Sequence, residues 1–203
     1  MGLRENIKAN EALKKIVLRF LMSSVKCRPQ WWIRMFFRIY AHCGAKSVIY
    51  RSVRKDIVPF RQFVLGKRSV IEDYSTINNA VGDIIIGDDT RIGIHSTVIG
   101  PIHIGNHVMI AQGVTVSGLN HTYTDVEMTI DKQKVTTNQI IIEDDVWIGA
   151  NSVITSGVSI GRHVVIGAGS IVTSDIPDYS VAIGIPAKVV KKYDFDKHLW
   201  QRM

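Results

Sequence analysis

From Ile142 to Thr173 the hydrophobic positions of this chain return every six residues: IEDDVW, IGANSV, ITSGVS, IGRHVV, IGAGSI, VT. The first place of each unit is a β-branched aliphatic (Ile142, Ile148, Ile154, Ile160, Ile166, Val172). A small or branched residue stands four places on (Val146, Ser152, Val158, Val164, Ser170). A helix turning every 3.6 residues cannot keep a six-residue period on one face, and a flat strand alternates every two. The period therefore predicts a parallel β-helix, in which short strands stack coil upon coil. Three sides make a triangular coil with the aliphatic place pointing inward. Gly beside it (Gly149, Gly161, Gly167) suits a corner, where a side chain would crowd the backbone or φ turns positive. Asp144 and Asp145, Ala150 and Asn151, and Arg162 and His163 are expected to face solvent.

Upstream the pattern loosens. From about Ser47 the chain is β-like, and the period starts at Leu65 (LGKRSV, IEDYST), breaks at INNAVGD, and resumes at Ile86 (IGDDTR, IGIHST). VIGPIH reads as an insertion before IGNHVM, IAQGVT and VSGLNH. The break near Asp83 and the stretch near Pro101 predict coils that bulge. Between His121 and Gln139 the period fails in a polar stretch holding Tyr123, Asp125, Glu127, Asp131, Lys132 and Lys134, then returns at Ile140. A loop this long inside a repeat array is expected to be functional or an interaction arm.

Ahead of the repeat, Asn6 to Lys26 reads as an amphipathic helix with Ile7, Leu13, Ile16, Val17, Phe20 and Leu21 near one stripe. Pro29 interrupts it. A second helical stretch, roughly Gln30 to His42, threads Trp31, Trp32, Ile33, Met35, Phe36, Phe37, Ile39 and Tyr40 between Arg34 and Arg38. The chain thus divides into a helical N-terminal region (1–60), a repeat domain (61–192) with an excursion at 121–139, and a C-terminal tail (193–203).

Charge sharpens that division. The net +7 is the sum of +11 in residues 1–61, with fourteen Lys and Arg against three Asp and Glu, and −4 in residues 62–203, with eleven against fifteen. Cations threaded with aromatics suit a helix lying in a lipid interface, so residues 1–45 are a candidate peripheral membrane contact. The other reading is a cap whose aromatic face covers the open end of the β-helix and whose cations are solvated. No recognition motif accompanies the basic character, and nucleic acid is not expected as a partner. Cys27 and Cys43 lack metal-ligand spacing or a disulfide framework, which points to a reducing compartment. No signal-peptide pattern or bilayer-spanning run is expected. A cytoplasmic protein is expected, with the inner face of the membrane as its peripheral contact.

The repeat, the SGLNH segment before the excursion, the IEDDVWIGANSVI return and the closing IVTSDIPDYSVAIGIPAKVVKK closely resemble the hexapeptide-repeat acyltransferases. The nearest branch is the sugar O-acetyltransferases, including galactoside and maltose acetyltransferases and those of capsule and O-antigen loci. The resemblance spans residues 65–192 and leaves the first 60 uncovered. It implies a left-handed parallel β-helix, an exception to the right-handed crossover rule. It also implies a homotrimer with active sites in clefts between subunits, and acetyl-CoA as co-substrate with no metal.

Such chemistry needs a base for a poorly nucleophilic hydroxyl, donors for the oxyanion, and a slot for CoA. His is the side chain whose ordinary pKa lies near working pH. His121, where the excursion departs, matches the family's catalytic His in position. Asn120, Tyr123 or Asp125 are candidates to orient it, with Asn120 also a candidate substrate contact. By resemblance Ala150 and Ala168 lie along the pantetheine arm, and Thr173 and Ser174 match a further CoA-contacting pair, Ser174 standing where a Lys is often found. Lys188 and Lys191 match positions that meet the CoA phosphates. The family's sugar-binding Asn and Asp are replaced by Arg91 and Ile99, so those contacts do not carry over; Arg91 and His95 are the nearby candidates for the acceptor.

Three other readings stay open. The same base and slot would serve N-acetylation of an amino-sugar or nucleotide-linked amino-sugar. A γ-carbonic-anhydrase-like enzyme shares the repeat and binds zinc through three His, for which His95, His103, His107 and His163 are available, although its ligand motifs are not visible here. A non-catalytic scaffold would need neither His121 nor the CoA-tail motifs.

Overall fold

The computed structural model describes residues 10–23 and 28–203. Between His42 and Ile176 the chain winds through three parallel sheets that form the faces of a prism. The first face stacks Val48–Ile49, Val70–Ile71, Arg91–Ile92, Met109–Ile110, Trp147–Ile148 and Val165–Ile166, and ends on Ser180–Gly184. The second stacks Arg54–Asp56, Thr76–Asn78, Thr97–Ile99, Thr115–Ser117, Val153–Ile154 and Ile171–Val172. The third stacks His42–Cys43, Phe63–Leu65, Ile84–Ile86, Ile102–Ile104, Ile140–Ile142 and Ser159–Ile160. This is a β-solenoid of the kind expected, consistent with a left-handed parallel β-helix.

The aliphatic place of each unit explains the stack. Ile148 pairs with Ile110 on one side and Ile166 on the other, and all three are buried. Each coil therefore buries its own inward residues and completes the burial of its neighbours, which a single coil cannot do. The glycines at the corners are explained by crowding. A Cβ on Gly149 would stand 2.5 Å from the Ala168 backbone nitrogen, whereas the positive φ falls on Asn151. The buried place four residues on is often a hydroxyl that caps the next coil: Ser152 Oγ donates to the Gly167 carbonyl (3.1 Å), and Thr90 Oγ1 to that of Gly105 (2.8 Å). Buried polar groups are thereby matched to the corner carbonyls that the sheets leave over.

Several expectations need correction. The solenoid starts at His42, ahead of residue 61, because Cys43 and Val48 already pair with Leu65 and Val70. The stretch at Pro101 is no insertion: Ile92 and Ile110 are partners eighteen residues apart, so VIGPIH is a regular side of its coil. The bulge near Asp83 is real, since Ile71 and Ile92 are partners twenty-one apart.

The N-terminal helix α1 runs Glu11–Leu21, capped by Asn10 accepting from the Leu13 backbone (3.1 Å). Its predicted start at Asn6 and end at Lys26 lie outside the described residues, but Met22 is already extended and pairs with Pro29. The second helical stretch is shorter than expected. Helix α2 covers Trp31–Met35 and passes into a 3₁₀ turn at Phe37–Ile39. The C-terminal tail is a hairpin, with Ala187–Asp194 running back along Ser180–Gly184 and Leu199–Arg202 antiparallel to it. Tyr179, Tyr193, Phe195 and Trp200 pack edge to face there, with Tyr179 and Phe195 at 4.8 Å.

Candidate active site

The excursion leaves the corner between the second and third faces. Ile110 and Ile148 remain sheet partners although they are thirty-eight residues apart, so the coil closes beneath it. Its neck is pinned at the Gly118 carbonyl, which accepts from the Asn138 backbone (3.0 Å) and from Ser156 Oγ (2.8 Å). Beyond the neck the arm is a two-stranded ribbon, Leu119–His121 against Val135–Thr137, extended by Thr122 bonding to the Lys134 carbonyl. Gln133 fastens its tip: Nε2 donates to the Asp125 and Met128 carbonyls (2.8 and 2.9 Å), and Oε1 accepts from the Asp125 backbone (3.2 Å). The sequence pattern gave no warning of that role.

His121 ends the first strand of this ribbon and is exposed. Among the described residues its imidazole has no hydrogen-bond or ion-pair partner. Asp125, one candidate to orient it, instead accepts from the Glu127 backbone (3.0 Å) in a turn of the arm. Asn120 pairs across the ribbon with Thr136, and its side chain alternates with that of His121. Tyr123, Val126 and Ile130 on the same arm are exposed, so the arm shows solvent an apolar surface that its own chain does not cover.

The other candidates divide between two edges of the prism. Ala150 and Ala168 stack on the edge between the first and second faces, where Gly169 N donates to the Ala150 carbonyl (2.8 Å). Lys188 is brought to that edge, because it pairs with Ile183, whose side chain lies against the Gly167 Cα. Lys191 pairs two residues further back, with Val181. His95 is on this edge too, two coils before Ala150, with positive φ and its ring stacked on Tyr74 at 5.1 Å. Arg91 lies on the first face, where Nη1 bonds Glu72 Oε1 at 2.8 Å. Thr173 and Ser174 are on the second–third edge, exposed, along the same line of corners as the arm. Within one chain, Arg91 and His95 are therefore not beside His121, and the CoA candidates do not form one groove.

The three other histidines considered as zinc ligands have separate settings. His103 points outward from the third face, while His107 and His163 occupy the third–first edge at positive φ. That edge is a ladder of charges: Arg68 bonds Asp89, and Asp145 Oδ2 lies 2.5 Å from His163 Nδ1. The hydrogen bond from Arg68 holds the Asp89 carboxyl below the usual carboxylate range, against a smaller opposing desolvation. Among the described residues no group of three His, Cys, Asp or Glu side chains gathers as a metal site. A groove of about 540 Å³ lies between Tyr179, Lys192, Tyr193 and Phe195, and none of the candidate residues lines it.

Residues 83–118 match the bacterial transferase hexapeptide family of six repeats, and residues 139–174 match the hexapeptide repeat of succinyl-transferase. Both matches fall within the three-sided solenoid, and the chain carries the hexapeptide repeat of these transferases. The chain is an acyltransferase, and solved structures resemble it along most of its length. A maltose O-acetyltransferase from Clostridium difficile is 26% identical over 93% of this chain and 88% of its own, with a TM-score of 0.57. A hexapeptide-repeat-containing acetyltransferase from Vibrio cholerae is 24% identical over 96% and 94%, with a TM-score of 0.57. AntD, an N-acyltransferase from Bacillus cereus solved with dTDP-4-amino-4,6-dideoxyglucose and coenzyme A, is 21% identical over 81% and 90%, with a TM-score of 0.66. The latter two are likenesses of fold. A sequence search of curated proteins finds no significant match.

Proposed function

We propose that this acyltransferase moves an acetyl group from acetyl-CoA to a saccharide hydroxyl, with His121 as general base. The observation that carries the reading is the division of the candidates between two edges. His121, Thr173 and Ser174 follow the second–third edge; Ala150, Ala168 and Lys188 follow the first–second edge. In a threefold assembly of such prisms, one edge of each chain meets the other edge of its neighbour, and a cleft between them unites both sets. The uncovered apolar arm supports this, since a neighbouring chain would bury Val126 and Ile130.

In that cleft an imidazole nitrogen of His121 takes the proton of the acceptor hydroxyl as its oxygen forms a bond to the thioester carbonyl carbon. The tetrahedral oxyanion is held by main-chain N–H groups. Its collapse breaks the carbon–sulfur bond, and the departing thiolate of CoA receives the proton from the imidazolium. Lys188 and Lys191 supply positive charge for the CoA phosphates.

The likeness to AntD favours a second reading, transfer to the amine of a nucleotide-linked amino-sugar. Thiol release from acetyl-CoA, measured against hydroxyl sugars and amino-sugars with His121→Ala in parallel, separates the two. Turnover on a hydroxyl sugar that falls by about a hundredfold or more in the variant supports the first reading. Turnover on amines alone would replace it with the second.

A further inference from the structure

The N-terminal cap has two unlike sides. On the inner side Ile33 is buried, Phe37, Tyr40 and Ala41 pack on the solenoid core, and the Tyr40 hydroxyl contacts the Ile33 and Ile57 carbonyls (2.9 and 3.0 Å). On the outer side Ile16, Phe20, Trp31 and Ile39 are 65, 67, 66 and 80% exposed. The Phe20 and Trp32 rings meet at 4.9 Å, linking α1 to α2, and an apolar groove of about 330 Å³ opens between Trp32, Phe36, Ile39 and Pro59. Single exposed apolar residues are ordinary; exposed Phe36 and Ile39 lining an apolar groove, with exposed Phe20 against Trp32 at its wall, mark a contact surface.

Charge identifies the occupant. Arg19, Arg34 and Arg38 belong to the same two helical segments, and among the described residues none pairs with a carboxylate, while Asp56 is taken by Arg28 and Arg54. The surrounding segment carries +11, so a second cap laid on this surface would set cation against cation. An anionic lipid surface offers both things the patch lacks, acyl boundary for the rings and phosphates for the guanidinium groups. No described helix is long and apolar enough to cross a membrane, so the contact lies on the bilayer.

We propose that the outer side of the cap docks on an anionic lipid bilayer and stands the β-helix away from it, N-terminal end down. In the trimer proposed above, on which this clause rests, cyclic symmetry sets three caps at one end, and weak single insertions add.

The test is flotation of the full chain with phosphatidylcholine vesicles and with phosphatidylcholine–phosphatidylglycerol vesicles, at low and high salt. The wild type is expected to float with the anionic vesicles and to be released by salt. Phe20→Ser with Ile39→Ser, and separately Arg19→Gln with Arg38→Gln, are expected to lower the partition by about tenfold each, with circular dichroism and oligomeric state unchanged. A wild type that ignores anionic vesicles, or variants that float as well as it does, would overturn the proposal. So would an oligomer that falls apart in the Phe20→Ser, Ile39→Ser protein, since the face would then be a contact between copies. Thiol release on a soluble acceptor, read on the same preparations, reports on the acyl-transfer reading independently.

Discussion

The coils from Ile142 onward and the cap from Glu11 to Ala41 are both rich in large apolar side chains, and they dispose of them in opposite ways. Ile148, Ile154, Ile160 and Ile166 are wholly buried, each held between its equivalents in the coils on either side. Ile16, Phe20, Trp31 and Ile39 are mostly exposed. A repeat supplies its own partner, so its hydrophobic pattern is closed within the chain. Among the described residues of the cap, Ile33, Phe37, Tyr40 and Ala41 pack inward, while Ile16, Phe20, Trp31 and Ile39 have no such burial within the chain.

The contrast can be broken most forcefully inside a coil. Ile148→Ala should cost about 2–5 kcal/mol, because the stack above and below cannot close on the cavity. Urea denaturation of purified variant and wild type measures it, and a loss below 1 kcal/mol (about half the lower bound) would show a core that relaxes freely. Gly149→Val follows: its Cβ meets backbone of the next coil at 2.5 Å, which no rotamer change relieves, and a loss of about 1–3 kcal/mol is expected in the same experiment.

The cap gives smaller effects. Tyr40→Phe removes a hydroxyl hydrogen-bonded in the cap and should cost about 1 kcal/mol near neutral pH. Burial raises the Tyr40 phenol from the ordinary 10.0 to about 12. The neutral phenol is therefore favoured in the folded protein, and the stability it contributes is full below about pH 10 and lost as pH rises towards about 12. The gap between wild type and Tyr40→Phe should close across that window in alkaline denaturation; a constant gap would contradict the assignment. Smallest of all, Ile39→Ser should change stability in the absence of lipid by no more than about 0.5 kcal/mol, since its side chain is already in water. Thermal unfolding of that variant sharpens the comparison, because the same substitution type inside a coil would be disruptive.

How much of this the chain itself discloses follows the same division. The solenoid is readable because each inward Ile or Val announces its face by its spacing, and the excursion is readable because that spacing stops at His121. The separation of Ala168 from Thr173 was present in the same arithmetic: Ala150 and Ala168 are eighteen apart, one full coil, while Thr173 lies one corner further on. The shortness of α2 was not readable, because Trp31–Met35 and Phe37–Ile39 carry one continuous apolar pattern, and the turn between them is set by packing of Phe37 and Tyr40 on the core. Nor was the setting of His121 readable. Its neighbour Asp125 is spent on the turn that Gln133 fastens, a local competition of hydrogen bonds that spacing does not reveal.

The central claim is that one site takes His121 from one chain and the Ala150–Ala168 edge from the next. Complementation between two inactive variants tests it directly: His121→Ala and Ala168→Trp, each purified alone and then co-expressed. Each mixed trimer would hold one cleft with both edges intact, so random mixing should restore roughly a quarter of wild-type thiol release. Activity no higher than that of either variant alone would mean that both edges must come from one chain, and the shared cleft would be wrong.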